Sequence, residues 1–262
     1  MSGTSQSPAE IRLVGLPGIP EVRPGDAVAA LVGDAVERAG LRLEPSDVVV
    51  VTHKIVSKAE GRLVSLPEIE PSALARDWAA RFDKDPRQVE VVLREAKRIV
   101  RMDRGVIIAE TPHGFVCANA GVDASNVAPE TVCLLPRDPD ASAARIRVAL
   151  GARFGLPDGD GPGVIISDSF GRPWRMGIVN VAIGVAGLAP LADYRGHHDA
   201  AGYELRVSVL AVADELAAAA ELAMNKLDAR PVVLIRDYVP PTGAAPGTAQ
   251  DLVMEPGRDL FR

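Results

Sequence analysis

The residues most able to do chemistry in this chain stand in two short stretches. Ile166-Ser167-Asp168-Ser169-Phe170-Gly171-Arg172-Pro173-Trp174-Arg175 follows an apolar run and sets a carboxylate, a hydroxyl and two guanidinium groups close together. Cys117-Ala118-Asn119-Ala120-Gly121-Val122-Asp123-Ala124-Ser125-Asn126 ends a second apolar run in a turn that carries Asp123 and Asn126. Asp123 and Asp168 are hard oxygen ligands and Ser169 adds a neutral oxygen. So sparse a set suits Mg²⁺ or Mn²⁺, which complete their shell with water and substrate phosphates. Arg172, Arg175, Lys54 and Lys58 have the charge to neutralise those phosphates, and Asn126 can donate to a base, a ribose or a phosphate. Taken singly, Asp123 and Asn126 read as Asx-turn residues and Asp168 as a cap; only the combination argues for a site. Neither a P-loop nor a Gly-x-Gly-x-x-Gly fingerprint is present, so a nucleotide site must be of another design.

These groups need a frame. Ile11 to Val14 reads as a first strand, and Leu16-Pro17-Gly18-Ile19, within a Gly- and Pro-rich loop, exposes backbone N–H groups that can face a ligand. Asp26 is the expected N-cap of a helix with apolar positions Val28, Leu31, Val32, Ala35, Val36 and Ala39. Val48 to Val51, β-branched and continuous, predicts a strand buried on both faces that delivers Thr52-His53-Lys54 to its end. Lys54, Lys58 and Arg62 recur every four residues, a cationic stripe if the segment is helical. Helical spacing covers 72–82, 86–100, 142–154 and 212–227. Strands are expected at 106–110 and 115–119, joined as a hairpin, and at 131–135, 164–166, 203–209 and 231–236. Small residues spaced through Gly177 to Gly187 predict backbone packed closely on backbone. His197-His198-Asp199 lacks further ligands at useful spacing and is not favoured as a metal site.

Composition sets outer bounds. The 262 residues are 47% hydrophobic and 24% charged, ordinary for a globular protein. A net charge of −6 argues against broad nucleic-acid binding through phosphate neutralisation. Cys117 and Cys133 have no zinc-ligand spacing and are expected to be buried thiols. Residues 1–10 read as a polar, disordered lead with no apolar segment for a signal or membrane anchor, so the expected location is the cytoplasm with no membrane partner.

Three motifs together resemble one family. Thr52-His53-Lys54-Ile55-Val56-Ser57-Lys58-Ala59-Glu60-Gly61-Arg62, the stretch Ala118 to Val127 and the stretch Ile166 to Arg175 match, in order, the coenzyme F420:L-glutamate ligase (CofE) family, and the likeness runs from about Ile11 to Arg262. The resemblance implies an α+β, CofE-like fold with mixed, largely antiparallel sheets and packed helices, in an intertwined homodimer. Residues 11–262 would form a single functional unit with room for two lobes. It implies a GTP-dependent, GDP-forming ligase that adds L-glutamate to F420-0 by a first amide bond and then γ-linked ones, through an acyl phosphate. The cofactors implied are divalent cations, Mg²⁺ or Mn²⁺, with GTP as co-substrate. Some members continue into a flavin-binding reductase domain; here no flavin is expected.

Residue by residue, the resemblance implies metal binding at Asp123, Asp168 and Ser169. Nucleotide contacts fall at Leu16, Pro17, Gly18, Ile19, His53, Lys54, Lys58 and Asn126, and at Met224, Asn225, Lys226, Leu227, Asp228, Ala229, Arg230 and Pro231. Lys58, Arg172 and Arg175 are the expected catalytic cations. The chain departs from the pattern at Asn225, where Gly is expected, at Lys226, where some members carry Gln and where an ammonium cannot be a ligand, and at His53, in place of a smaller or amide side chain. Two other readings stay open: another metal-dependent nucleotide ligase or kinase with a different carboxylate acceptor, and a deazaflavin-binding module without catalysis.

Overall fold

Four successive valines, Val48 to Val51, are fully buried at the centre of a five-stranded sheet, as a β-branched run without alternation requires. The computed structural model describes residues 9–157, 159–241 and 244–260. In chain order these form β1 (Arg12–Leu16), α1 (Val28–Arg38), β2 (Val48–Thr52), α2 (His53–Ala59), β3 (Leu63–Ser65), α3 (Ala73–Phe82), α4 (Pro86–Glu95), β4 (Arg98–Asp103), β5 (Val106–Glu110) and β6 (Val116–Ala118). There follow β7 (Thr131–Cys133), α5 (Pro139–Phe154), β8 (Gly163–Arg172), β9 (Arg175–Ala186), β10 (Ala192–Asp193), β11 (Val209–Leu210), α6 (Val212–Met224) and β12 (Val232–Arg236).

The main sheet runs β1-β12-β2-β8-β9, antiparallel throughout except for the parallel pair β2–β8. Smaller antiparallel sheets pair β4-β5-β6, β3-β7 and β10-β11. The architecture is thus mixed α+β with mostly antiparallel sheets. Helix α6 packs across β1, β12, β8 and β9, while α5, backed by α1, packs on β8 and β9. One apolar cluster surrounds the five-stranded sheet; a second joins α3 and α4 to β5 and β7 through Ala75, Val92, Ile107 and Val132.

Several boundaries differ from the sequence expectation. The helix expected over 86–100 stops at Glu95, and Ile99 and Val100 enter β4 because Lys97 N–H donates to Glu110 O at 2.8 Å and starts a ladder with β5. Arg104 and Gly105 (φ 49° and 77°) make the left-handed two-residue turn that closes this hairpin. The N-cap of α1 is Ala27; Asp26 instead accepts from Arg23 N–H at 2.7 Å and closes a local turn. Of the expected strand over 203–209 only Val209 enters a ladder, together with Leu210 against β10, while Glu204 makes an isolated bridge to His198; α6 ends at Met224 because Asn225 turns to φ 52°, ψ 158°. The expected disordered lead lies outside the described residues over 1–8. Among the described residues no helix is long and apolar enough to cross a membrane.

The small residues of β9 do what their spacing predicts. A Cβ on Gly184 would stand 2.5 Å from Pro139 O, so the start of α5 rests on bare backbone. Gly184→Ala should cost about 1–3 kcal/mol through overpacking. Gly171→Ala, with nothing within 4 Å of its Cβ, should stay within about 0.5 kcal/mol. Denaturant unfolding midpoints of the two variants check this.

Candidate functional site

Four segments meet at one end of the main sheet. Strand β2 pairs with β8 in a register that sets Thr52 opposite Ser167, so the next residues, His53 and Asp168, emerge together. Thr52 N–H donates to Pro231 O at 2.9 Å, which brings the α6–β12 loop alongside. The turn carrying Asp123 is clamped to β7 by paired backbone hydrogen bonds with Cys133, at 3.0 and 2.8 Å.

Helix α2 begins here, and its first two residues each meet a carboxylate. Lys54 Nζ lies 2.7 Å from Asp123 Oδ2 and also donates to Ser125 Oγ. Asp123 further accepts from Ser125 N–H at 2.7 Å and Ser125 Oγ at 3.0 Å. Burial pushes the Asp123 carboxyl up, but Lys54 and Ser125 outweigh it and hold it below its ordinary 3.8. His53 Nε2 lies 3.2 Å from Asp168 Oδ1, and Asp168 also accepts from Ser169 N–H at 2.7 Å. Cys117 is close enough to feel Asp168: burial first, then that charge, pushes its thiol up to about 12.

The strand expected over 164–166, with Asp168 read as a cap beyond it, extends further: Asp168 and Ser169 both lie within β8, which runs on to Arg172 and returns as β9 through Pro173 and Trp174. Consecutive strand residues point to opposite faces. Asp168 faces His53, whereas Ser169 donates to Asn180 Oδ1 at 2.7 Å and accepts from Lys226 Nζ at 2.7 Å. Lys226 is also 3.2 Å from Glu221, and Asn180 N–H donates to Glu221 Oε2 at 3.0 Å.

The donor set can be tested against a divalent cation. Asp168 Oδ2 enters no hydrogen bond or ion pair among the described residues, and a lysine ammonium already occupies the cation position on Asp123. No three His, Cys, Asp or Glu side chains among the described residues cluster closely enough to hold a metal, the His197-His198-Asp199 stretch included. The oxygens therefore fit a cation that brings phosphate and water oxygens with it, not an all-protein cage. At Ser169 the ammonium of Lys226 stands where a second cation would have to be.

The remaining predicted site residues fall as follows. Lys58 is 6% exposed and pairs at 2.5 Å with Glu21, which ties the loop after β1 to α2. Arg62 bonds Glu95 and Leu135 O, so the Lys54, Lys58, Arg62 stripe faces protein partners, not open water. Leu16 is a core side chain at the end of β1, Gly18 O accepts from Arg38 at 2.7 Å, and Pro17, Gly18 and Asn126 are exposed. Met224 is buried, residues 225–229 are exposed, Arg230 bonds Ala223 O and Asp228, and Asn225 Nδ2 donates to Asp228 at 3.3 Å.

The family model for F420-0:gamma-glutamyl ligase matches residues 18–237. A relative in Methanopyrus kandleri named coenzyme F420:L-glutamate ligase is 46% identical over 96% of this chain and 98% of its own length. Another of that name in Methanothermobacter thermautotrophicus is 46% identical over 96% of this chain and 99% of its own. The chain belongs to this ligase family. A third relative of the same name, in Haloarcula marismortui, is 42% identical over 94% of this chain and 93% of its own length.

In this family member Arg172 and Arg175 are exposed at the tip of the β8–β9 arm, about 13 Å along the strand from Asp168. Arg172 donates to Met176 O at 2.6 Å. His53 is 1% exposed, with no open face to offer a nucleotide. Sequence reading did not single out Glu21, Asn180 or Glu221. Asn180 left a signal, a polar residue inside the apolar run of β9; Glu21 and Glu221 left none, since surface Glu is common in loops and helices.

Removing Lys54 isolates the two opposing effects on Asp123. In Lys54→Met, burial is left opposed by Ser125 alone, and the carboxyl should titrate at higher pH than in the parent. A depressed folded-state value stabilises the fold above the unfolded value and is lost as pH falls through the folded one, so the variant should give up that acid-side contribution. Carbon-detected NMR titration of the Asp carboxyls reads the shift; an unchanged Asp123 would show that Lys54 does not set it.

Proposed function

We propose that the protein is a GTP-dependent ligase that adds L-glutamate to coenzyme F420-0, by a first amide bond and then γ-linked ones, with Mg²⁺ or Mn²⁺ and as a homodimer. The observation that carries the reading is the pair of carboxylates, Asp123 and Asp168, drawn to one helix start by Lys54 and His53 in a chain whose relatives bear that ligase name.

The chemistry is set by charge. An acceptor carboxylate and a triphosphate are both anions, and their approach needs fixed positive charge in a partly dry site. Lys54 and Lys58 supply it from α2 and Lys226 from the α6–β12 loop, with Leu16 to Ile19, Asn126 and the segment Met224 to Pro231 around the nucleotide. The acceptor carboxylate oxygen attacks the γ-phosphorus and GDP leaves. The α-amine of glutamate then attacks the acyl carbon, forms the amide and expels phosphate. A divalent cation, when bound by Asp123 and Asp168, neutralises phosphate oxygens. Arg172 and Arg175, at the arm tip, meet the part of a long anionic acceptor remote from the reacting carboxylate. Homodimerisation is supported by the same arm, where Met176 is 94% and Ile178 54% exposed. Isolated large apolar groups are ordinary on surfaces, but several on one projecting hairpin favour a covering partner.

The assay offers F420-0, L-glutamate and GTP, with ATP in a parallel arm, and reads glutamate mass increments together with GDP and phosphate. Increments dependent on GTP are expected. Asp168→Ala should lower turnover by about 10²–10³-fold or more. Nucleotide hydrolysis without mass increments would point to a different acceptor, and wild-type turnover in Asp168→Ala would remove that residue from the mechanism.

A further inference from the structure

One almost fully buried polar side chain of the site has a role that charge and exposure do not explain. His53 is 1% exposed, so it has no surface for a nucleotide. Its Nδ1 lies 3.3 Å from Ser57 Oγ, one helical turn along α2, where i and i+4 share a face. Ser57 is itself fully buried, against the thiol of Cys133, whose backbone clamps Asp123. The other ring nitrogen, Nε2, has no aligned hydrogen-bond partner, and the nearest acceptor is Asp168 Oδ1 at 3.2 Å. The contact is too bent for a hydrogen bond as the carboxylate stands, and a buried N–H without a partner is costly, so a turn of the Asp168 carboxylate about its terminal torsion that closed this bond would be favoured.

We infer that His53 is a positioning residue that fixes the orientation of the Asp168 carboxylate. With Ser57 O–H donating to Nδ1 the proton stays on Nε2, which stands 3.2 Å from Oδ1; Oδ1 also accepts from Ser169 N–H, and Oδ2 has no partner among the described residues. Ser57 in turn neighbours Cys133, whose backbone hydrogen bonds clamp Asp123, so side chains and backbone together link the two carboxylate-bearing segments. Groups that orient a ligating side chain through its second atom commonly alter metal affinity by about 10–100-fold when removed. The inference rests on the metal reading of Asp168 given under Proposed function.

The test is Mn²⁺ binding to the full chain with GTP present and acceptor absent, read from the electron spin resonance of free Mn²⁺ against a protein-free Mn²⁺–GTP control. His53→Gln places an amide N–H near the position of Nε2 and should keep affinity within about threefold. His53→Asn reaches Ser57 but not Asp168, and with His53→Ala it should weaken Mn²⁺ by about 10–100-fold. Ser57→Ala, which frees the ring to turn, should show a smaller loss in the same direction. Thermal unfolding verifies that each variant is folded, and the Gln and Asn pair decides the matter even where the Ala variant does not fold. Wild-type affinity in His53→Asn, or equal loss in His53→Gln and His53→Asn, overturns the positioning role. Asp168→Ala is the separating control. If it binds Mn²⁺ like the parent, the metal reading falls and this inference with it; if it loses Mn²⁺ while His53→Asn does not, the inference falls alone.

Discussion

The parallel pairing of β2 with β8 is the constraint on which the rest depends. Parallel strands cannot be joined by a tight turn, and here the connection takes in everything from α2 to α5, including a second apolar cluster with its own helices and hairpin. That long crossover starts with His53 and returns just before Asp168, so the strand register alone puts residues far apart in sequence side by side. A slip of one residue would turn Asp168 to the other face of the sheet and put Ser169 against His53. Valine follows valine in β2, so the apolar run by itself tolerates a slip; the bonds at its two ends, Gly163 N–H to Asp47 O and Thr52 N–H to Pro231 O, mark the register that the site requires.

Placing Asp168 and Ser169 inside a strand divides the site into two faces of one sheet. On one side stand Asp168, His53 and Cys117, close to the Asp123 turn. On the other, Ser169, Asn180, Lys226 and Glu221 form a hydrogen-bonded cluster anchored on α6. The two oxygens adjacent in sequence therefore belong to different surroundings, one held by an imidazole and the other by an ammonium.

Much of this was legible in the residues. The valine run announced a doubly buried strand, the small residues of β9 announced close backbone approach, and Asp123 is both the Asx turn and the site carboxylate, since Ser125 N–H bonds it locally while Lys54 reaches it from afar. Both cysteines are buried and free. What stayed hidden was set by distant partners. Ile99 and Val100 fit a helical period until β5 offers them a ladder, and the turn signal that would have revealed it, Arg104-Gly105, is weak without the hairpin around it. The continuation of β8 past Asp168 depends on β9 folding back on it, because Gly171 and Pro173 by themselves read as a loop. Glu21 acquires its meaning only from Lys58, a partner on another element.

With Lys54 resting on Asp123 and Lys226 resting on Ser169, metal binding as proposed at this site would be an ion exchange. A cation arriving at either oxygen displaces an ammonium and not merely water, so it gains only the difference between two partners. The displaced ammonium then needs an anion of its own. A species that carries both charges at once satisfies both halves of the exchange, and linkage makes the benefit mutual: whatever factor the anion adds to the affinity of the cation, the cation adds to that of the anion.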